Sequence, residues 1–241
     1  MNRQRLDELL VERGLAQSRA KARALILAGQ VLVNGRKGAK AGELIQADAR
    51  VEVVEPPPYV SRGGLKLQAA LDHFRIAVEG RVCLDVGAST GGFTDCLLKR
   101  GARRVYAVDV GRGQLDWRLR GDARVVVCEG INARYLGPEQ VPEPVDLAVC
   151  DVSFISATLI LPRLAALLSD TGEMVILVKP QFEVGRGQVG KGGVVRDPEL
   201  HQAACRKVAE AAAGLGFHSE WIESPVRGAE GNREFLLYAR R

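Results

Sequence analysis

The sequence is poor in the residues that build metal centres, disulfide frameworks and membrane spans. Among its 241 residues are five cysteines and three histidines. The cysteines show no C-x-x-C spacing and the histidines fit no ligand pattern, so we expect no metal site. An odd cysteine count, together with a start that lacks the apolar core of a signal peptide, favours a reducing cytoplasm. No apolar run approaches the roughly 20 residues that cross a bilayer, which argues against a membrane-spanning protein.

What the sequence does have is an uneven distribution of basic side chains. Lys plus Arg total 34 against 29 Asp plus Glu, a formal net charge of +5. Residues 1–40 hold nine basic and three acidic side chains, a net charge of +6, which leaves the rest of the chain at −1. This asymmetry indicates an anionic partner for the N-terminal part, and it favours nucleic acid over a membrane surface.

Residues 1–55 are expected to form a small α+β module. Helices are predicted from residue 5 to 13 and from 19 to 28, because each apolar helical face is followed by a glycine that can end the helix. Ser18 is a typical cap for the second helix. Short strands are predicted near residues 31–36, 43–46 and 51–54, with an Asn-Gly hairpin turn at 34–35.

Three consecutive prolines predict a stiff linker over residues 56–61, since proline has no N–H to give to a β-ladder. In residues 62–241, apolar strands alternate with helices, which is typical of a doubly wound, Rossmann-like α/β domain with ligands at the carboxyl ends of its strands. The last two strands are expected to pair antiparallel at one edge. Strands are predicted near 82–86, 104–109, 124–128, 145–151, 173–179, 217–223 and 234–240, and helices near 64–74, 92–100, 113–119, 154–168 and 198–214.

A glycine-rich turn follows the first of these strands. Gly87, Gly91 and Gly92 lie between the strand at 82–86 and a helix, and glycines at such a turn let backbone N–H groups approach a ligand closely. The G-x-x-x-G-G spacing differs from the dinucleotide fingerprint, which disfavours an NAD-dependent enzyme. Asp109 ends the next strand, where an acidic residue commonly holds ribose hydroxyls. Together these features favour an S-adenosylmethionine (SAM) site over an ordinary strand–turn–helix.

Four charged residues lie in positions where an α/β domain has little structural need for charge. Asp151 and Lys179 each end a predicted central strand. Lys66 lies just before the core begins, and Glu234 opens the last strand. Taken singly, each has an ordinary explanation as a cap, a strand end or a surface charge. Taken together, with two of them beside the expected cofactor, they predict a catalytic cluster of two lysines and two acids.

Five short motifs carry a family resemblance. They are S-R-x-x-x-K-L, D-V-G-x-x-x-G-G-F, C-D-V-S, V-K-P and N-R-E-F, and they resemble the motifs of FtsJ-type ribose 2′-O-methyltransferases. The N-terminal part, with R-L-D-x-L-L followed by Gly-Leu-Ala-x-Ser-Arg and Val-Asn-Gly, resembles the small RNA-binding module first named after ribosomal small-subunit protein four. With both parts in one chain, residues 3–240 resemble the TlyA family of hemolysin-like rRNA methyltransferases.

The resemblance implies a set of site residues. It implies SAM as the cofactor, an FtsJ-like SAM-dependent methyltransferase domain over residues 62–241, and a catalytic tetrad of Lys66, Asp151, Lys179 and Glu234. Many FtsJ-type loops carry a proline step where this chain has Ser-Thr, as TlyA-like chains do. The SAM-binding residues that it implies are Asp85, Gly87, Ser89, Gly91, Gly92 and Asp109, and we add Glu129 and Asn132 from their place after the third strand.

The resemblance also implies that the partner is ribosomal RNA within ribosomal subunits and that the target is a cytidine ribose. Arg19 and Arg23 lie one turn apart near a helix start, which suits a phosphate, although a solvated charged face is the alternative. The segment 184–193 is either a flexible connector or a basic loop that closes over RNA. We expect a monomer or a weak dimer. The expected RNA-binding residues are Arg3, Arg5, Ser18, Arg19, Lys21, Arg23, Arg62, Arg186 and Lys191.

Methyl transfer to a 2′-hydroxyl needs alignment and the removal of one proton. Lys179 is expected either to accept that proton or to stay charged and orient the hydroxyl. Methylation of a base is the alternative within enzymes, but residues 150–154 lack the Asn/Asp-Pro-Pro-aromatic motif typical of it. A membrane-lytic protein is the alternative outside enzymes, and the short, well-capped helix at 19–28 argues against it.

Overall fold

The computed structural model describes residues 3–38, 40–55 and 57–241, apart from the side chains of Arg186 and Ala229. Contacts divide the chain into two units, Met1–Pro57 and Pro58–Arg241. Pro56, in the expected linker, lies outside the described residues. Within the part of the chain that the structure describes, no helix is long and apolar enough to cross a membrane.

The N-terminal unit contains two short helices and two small antiparallel sheets. Leu6, Leu9 and Leu10 are buried with Ile26 and Val31, so the helical spacing of the leucines supplies the centre of a single small core. The elements are β1 (Arg3–Arg5), α1 (Leu6–Glu12), α2 (Arg19–Leu27), β2 (Val31–Val33), β3 (Arg36–Lys37), β4 (Leu44–Gln46) and β5 (Val51–Val53), with β1 paired to β4 and β2 paired to both β3 and β5.

The C-terminal unit is built on a seven-stranded sheet in the order β11-β12-β10-β9-β6-β7-β8. The five strands from β10 to β8 in that order are parallel, and β12 runs antiparallel to both β10 and β11, which confirms the predicted doubly wound sheet and its antiparallel edge. The strands are β6 (Val82–Val86), β7 (Arg104–Asp109), β8 (Val125–Glu129), β9 (Val145–Cys150), β10 (Leu168–Val178), β11 (His218–Glu223) and β12 (Phe235–Arg240).

The helices of this unit differ from the prediction at three places, one of which is the unpredicted short helix at Pro180–Glu183 after β10. The expected helix at 154–168 is instead a 3₁₀ turn followed by α6, which begins at Leu161, because Pro162 is tolerated only in the first turn of a helix. The expected helix at 113–119 shrinks to a single turn that Asp116 caps. The α-helices are α3 (Gly63–His73), α4 (Gly92–Lys99), α5 (Trp117–Arg120), α6 (Leu161–Leu167), α7 (Pro180–Glu183) and α8 (Pro198–Ala213).

Both faces of the central sheet are buried. In β6, Val82, Leu84 and Val86 belong to the core on one face, whereas Cys83 belongs to the core on the other, as the two-residue period of a strand requires. Polar side chains therefore concentrate where the strands end. The carboxyl ends of the parallel strands meet at one edge of the sheet, and this edge carries the site described next.

Candidate active site

Neighbouring strand ends bring the predicted catalytic residues together. Strand β6 leads into Gly87, β9 leads into Asp151, and β10 leads into Lys179, and these strands lie side by side in the sheet. The backbone N–H of Asp151 still donates to the carbonyl of Val86 at 2.8 Å, so the first residue beyond β9 remains tied to β6. Pro180 follows Lys179 at once and starts α7, which ends the strand at that point.

Lys179 and Asp151 form an ion pair at these strand ends. The ammonium Nζ lies 2.6 Å from Asp151 Oδ1 and donates to Ser153 Oγ at 2.8 Å. The lysine side chain is 11% exposed and the aspartate 21% exposed, so solvent reaches the pair only in part. The ammonium thus has one hydrogen-bond partner, Ser153, and one ionic partner, Asp151, and it retains N–H donors for a ligand.

Lys66 and Glu234 form a second pair, which is more deeply buried. Lys66 Nζ donates to Glu234 Oε2 at 2.5 Å, with the two side chains 11% and 3% exposed. Lys66 comes from the first turns of α3, and Glu234 directly precedes β12. Gly228 packs against the Glu234 carboxylate so closely that a Cβ there would collide with it. The loop before β12 is therefore shaped to fit this carboxylate.

Both pairs line a single cavity of about 640 Å³. The structure thus brings the four residues of the expected tetrad together, although they are spread over some 170 positions of the sequence. Arg62, which was expected to bind RNA, lines the same cavity. The described residues contain no cluster of His, Cys, Asp and Glu that could hold a metal ion.

The glycine loop bounds this cavity on another side. Gly87 has a φ of +85°, and a Cβ at this position would collide with the carbonyl oxygen of Asp151. Gly91, with a φ of +94°, is the N-cap of α4, a conformation that L side chains rarely adopt. The glycines therefore let the loop turn sharply while it lies directly against the backbone of Asp151.

Asp109 ties this loop to the end of β7. Its Oδ2 accepts the N–H of Ser89 at 2.8 Å, and its Oδ1 accepts the N–H of Gly111 at 2.7 Å. Asp109 and Asn132 line a second cavity of about 610 Å³, whose wall also includes apolar side chains. The two cavities meet, because both are lined by Gly87, Ser89, Asp151, Ser153 and Phe154.

Three of the expected SAM-binding residues, Asp85, Gly91 and Glu129, line neither cavity. Asp85 is fully buried behind the glycine loop, where its Oδ2 accepts the Thr94 hydroxyl of α4 at 2.6 Å. Burial raises the pKa of Asp85 to about 7, and the nearby charge of Asp151 acts in the same direction. Glu129 accepts from Arg120 at 2.5 Å and from the N–H of Gly113 at 3.0 Å, and the Arg120 hydrogen bond lowers its pKa.

The sequence did not assign roles to Ser153 and Phe154, which follow Asp151. Ser153 accepts from Lys179, and Phe154 is 91% exposed with a φ of +64°, where a bulky residue is unusual. Its ring lies 5.3 Å from that of Phe182, and both rings line the first cavity. The position of Ser153 and Phe154 in the C-D-V-S-F run could have indicated their place in the site, since side chains just beyond a central strand lie at the edge where ligands bind.

Glu183 was also missed, and it holds the loop after β9 in place. Its buried carboxylate accepts from Ser156 Oγ at 2.5 Å and from the N–H of Ala157 at 2.7 Å. Lys207 of α8 pairs with it at 3.1 Å. Glu183 therefore links the segment after Lys179 to the segment after Asp151. Nothing local in the sequence marks this contact, because its partners lie more than twenty residues away.

Apart from Arg62, which lines the first cavity, the residues expected to bind RNA fall into two groups. In the N-terminal unit, Arg3 and Lys21 are exposed, and Ser18 Oγ caps α2 by accepting the N–H of Lys21. Arg5, Arg19 and Arg23 gather around one acidic residue, Asp7. In the segment 184–193, Lys191 is exposed, whereas the side chain of Arg186 lies outside the described part of the chain.

Family models match both units of the chain. The model of the FtsJ-like methyltransferases matches residues 59–241, and the model of the S4 domain matches residues 4–51. The two matches together leave only short segments at residues 1–3 and 52–58 outside a family.

Individual relatives match over almost the whole length. The 16S/23S rRNA (cytidine-2′-O)-methyltransferase TlyA of Mycobacterium tuberculosis is 51% identical over 241 residues, which cover 99% of this chain and 90% of that protein. Hemolysin A of Brachyspira hyodysenteriae is 45% identical, with 97% of this chain and 98% of that protein covered. A solved structure from Streptococcus thermophilus, which also carries the name hemolysin, is 44% identical with a TM-score of 0.76 and covers 100% of this chain and 89% of that one.

These matches agree with the parallel sheet of the C-terminal unit. They extend over both units, and their sequence identities of 44–51% are too high for a similarity of fold alone. The chain therefore belongs to the TlyA family of FtsJ-like methyltransferases, with an S4 domain preceding the methyltransferase domain.

Proposed function

We propose that this protein transfers a methyl group from SAM to the 2′-hydroxyl of a cytidine in ribosomal RNA, with ribosomal subunits as its substrate. The observation that carries the proposal is the meeting of two lysine–carboxylate pairs in one cavity, directly beside a glycine loop. The name of the 51% identical relative, a 16S/23S rRNA (cytidine-2′-O)-methyltransferase, supports the choice of substrate. The two adjoining cavities support the simultaneous binding of a cofactor and a nucleotide.

The second cavity fits SAM. Gly87 lacks the Cβ that would block a close approach, and Asp109 offers carboxylate oxygens that retain free lone pairs for ribose hydroxyls. Val110, Ile131 and Leu159 supply an apolar wall suited to an adenine ring. When bound there, SAM supplies a methyl group that its sulfonium has already activated. Asp85 is proposed to support the loop from behind rather than to contact SAM.

Lys179 is proposed to orient the 2′-hydroxyl. Its ammonium donates to Ser153 and pairs with Asp151, and its remaining N–H can point at the hydroxyl oxygen in the first cavity. The ion pair with Asp151 holds the lysine side chain at the edge of the cavity, and the hydroxyl proton passes to the Asp151 carboxylate or to water. Transfer would form a bond from the hydroxyl oxygen to the methyl carbon and break the carbon–sulfur bond, so S-adenosylhomocysteine would leave as the hydroxyl loses its proton. Alignment of oxygen and methyl group is then the main contribution of the protein.

Lys66 and Glu234 are proposed to keep the cavity neutral and rigid. With the Lys179–Asp151 pair, they place two positive and two negative side chains around the same space, so a polyanionic substrate meets no net repulsion. Because the Lys66–Glu234 pair is almost fully buried, removal of either partner leaves an uncompensated charge. We assign both residues to substrate positioning.

The two units divide the work in this proposal. Residues 1–55 bind structured RNA through phosphate contacts from basic side chains, as the deep, narrow groove of A-form RNA favours. Residues 62–241 carry out methyl transfer, and residues 56–61 link the two. Arg62 and Lys191 supply further basic groups near the nucleotide, since Arg62 lines the first cavity and Lys191 lies in the adjoining glycine-rich segment.

The test is to incubate the purified protein with radiolabelled SAM and separated, unmodified ribosomal subunits, and then to map the label by nuclease digestion and mass spectrometry. The expected product is a 2′-O-methylcytidine at a defined position. A label on a base would show that the protein methylates a base and would contradict ribose methylation. Absence of any label, combined with dye release from liposomes, would support the lytic alternative that the name hemolysin suggests.

A further inference from the structure

A single carboxylate in the N-terminal unit collects three arginines. Asp7, the second residue of α1, is completely buried. Its Oδ1 accepts from Arg5 Nε at 3.0 Å, and its Oδ2 accepts from Arg19 Nη2 at 3.2 Å, from Arg23 Nε at 3.0 Å and from Arg5 Nη2 at 3.3 Å. The Arg5 hydrogen bonds hold the pKa of Asp7 far below its usual range, so this carboxylate stays charged at any ordinary pH.

The three arginines come from two separate elements. Arg5 ends β1, whereas Arg19 and Arg23 lie one turn apart on α2. Their side chains remain 38%, 48% and 57% exposed. Glu8 adds a second, half-exposed anchor, with Oε1 at 3.1 Å from Arg19 Nη1 and 3.8 Å from Arg5 Nε. Each guanidinium therefore points some N–H groups inward and keeps others free towards solvent.

The arrangement is suited to phosphate. A guanidinium carries five N–H donors in a rigid plane, and Asp7 uses only one or two from each arginine. Three cations crowded at a surface repel one another and would spread apart without a counter-charge. With Asp7 beneath them, their positions are set before RNA arrives, so less side-chain entropy is lost on binding.

We propose that Asp7 is a positioning residue that strengthens RNA binding by holding Arg5, Arg19 and Arg23 as one phosphate-binding surface. The inference rests on the proposed RNA-binding function of this unit and goes beyond it, because it assigns a favourable role to a negative charge within a basic surface. Charge counting alone gives the opposite sign, since removal of an acid from an RNA-binding protein normally tightens binding.

The test compares two Asp→Asn variants of the full chain. Asp7→Asn removes the buried carboxylate, and Asp48→Asn removes an exposed one in the same unit, so that both raise the net charge by one. Dissociation constants for purified, unmodified ribosomal subunits are measured by filter binding between about 50 and 200 mM salt. We expect Asp7→Asn to bind at least about fivefold more weakly, with a shallower salt dependence, and Asp48→Asn to bind equally well or slightly more tightly.

The binding measurements can contradict the inference in the following ways. Binding by Asp7→Asn that equals or exceeds that of the unaltered protein overturns the inference. If circular dichroism shows that Asp7→Asn does not fold, Glu8→Gln decides by the same comparison, since Glu8 holds Arg5 and Arg19 from the half-exposed side. About twofold weaker binding is then expected, and tighter binding contradicts the inference. Failure of the unaltered protein to bind subunits would instead overturn the proposed RNA-binding function, and the inference with it.

Discussion

Lys179 and Asp151 follow neighbouring parallel strands, and their side chains meet with Nζ 2.6 Å from Oδ1. Because parallel neighbours end at the same edge of a sheet, the pair forms without any long loop. The contact also places a cation and a carboxylate at the boundary of the two cavities, since Asp151 lines both of them.

Gly87→Ala is expected to disable the cofactor site. Gly87 has a φ of +85°, and an added Cβ would collide with the backbone of Asp151, so the loop and the strand end must move apart. We expect the free energy of unfolding to fall by roughly 1–3 kcal/mol and the affinity for SAM to fall at least about tenfold. Urea denaturation and isothermal titration calorimetry measure the two effects.

Gly80→Ala is the matched control. Gly80 has a φ of +73°, but an added Cβ would meet no atom within 4 Å. This variant should lose about 1 kcal/mol of stability through backbone strain alone and bind SAM normally. Equal SAM affinities in the two variants would contradict the role given to the loop.

The positions of the residues that follow central strands could be predicted from the sequence. The positions of residues that depend on packing between distant elements could not. Asp151 and Lys179 directly follow apolar runs long enough to be buried strands, so their place at the ligand edge follows from the sheet. Lys66 and Glu234 depend on how α3 and the β12 edge pack onto that sheet, which no local pattern encodes. Both were singled out as charges with little structural need, and the resemblance to FtsJ-type enzymes implied their place in the tetrad.

The direction of its side chain explains why Asp85, an expected cofactor residue, does not line either cavity. Asp85 lies in β6 between Leu84 and Val86, and strand alternation turns it to the face opposite theirs, which here is occupied by α4 and Thr94. The same alternation could have indicated a buried carboxylate rather than a ligand contact. The start of α6 was also readable, since Pro162 restricts where a helix can begin.

Asp85→Asn is expected to change how stability depends on pH. Burial raises the pKa of Asp85 from 3.8 to about 7, so between these values the folded protein holds a proton that the unfolded chain has lost. The stability of the unaltered protein therefore falls as pH rises from about 4 to about 7, by an amount on the order of 4 kcal/mol from this group.

The Asn variant lacks this dependence. Its free energy of unfolding, measured by urea denaturation from pH 4 to 8, should rise relative to that of the unaltered protein across the interval. Parallel pH profiles for the two proteins would show that Asp85 does not titrate there.

Glu183→Ala is expected to lower SAM affinity although Glu183 lines neither cavity. Without its carboxylate, Ser156 and the N–H of Ala157 lose their acceptor, and the loop that walls the second cavity loses its anchor. We expect the dissociation constant for SAM to rise about tenfold, with partial recovery in Glu183→Gln, which keeps one acceptor oxygen.

Glu210→Ala serves as a control, because Glu210 is an exposed glutamate on α8. It should leave SAM affinity unchanged. A lower melting temperature for Glu183→Ala with normal SAM affinity would reduce Glu183 to a purely structural residue.

The most direct test of the account is the single-turnover rate of methyl transfer to unmodified ribosomal subunits by Lys179→Ala, with SAM affinity measured on the same preparation. If Lys179 orients the 2′-hydroxyl, the rate falls by about 10²–10⁴-fold while the dissociation constant for SAM stays within about threefold of the unaltered value. A normal rate, or a loss of rate explained wholly by lost SAM binding, would contradict the role of the Lys179–Asp151 pair.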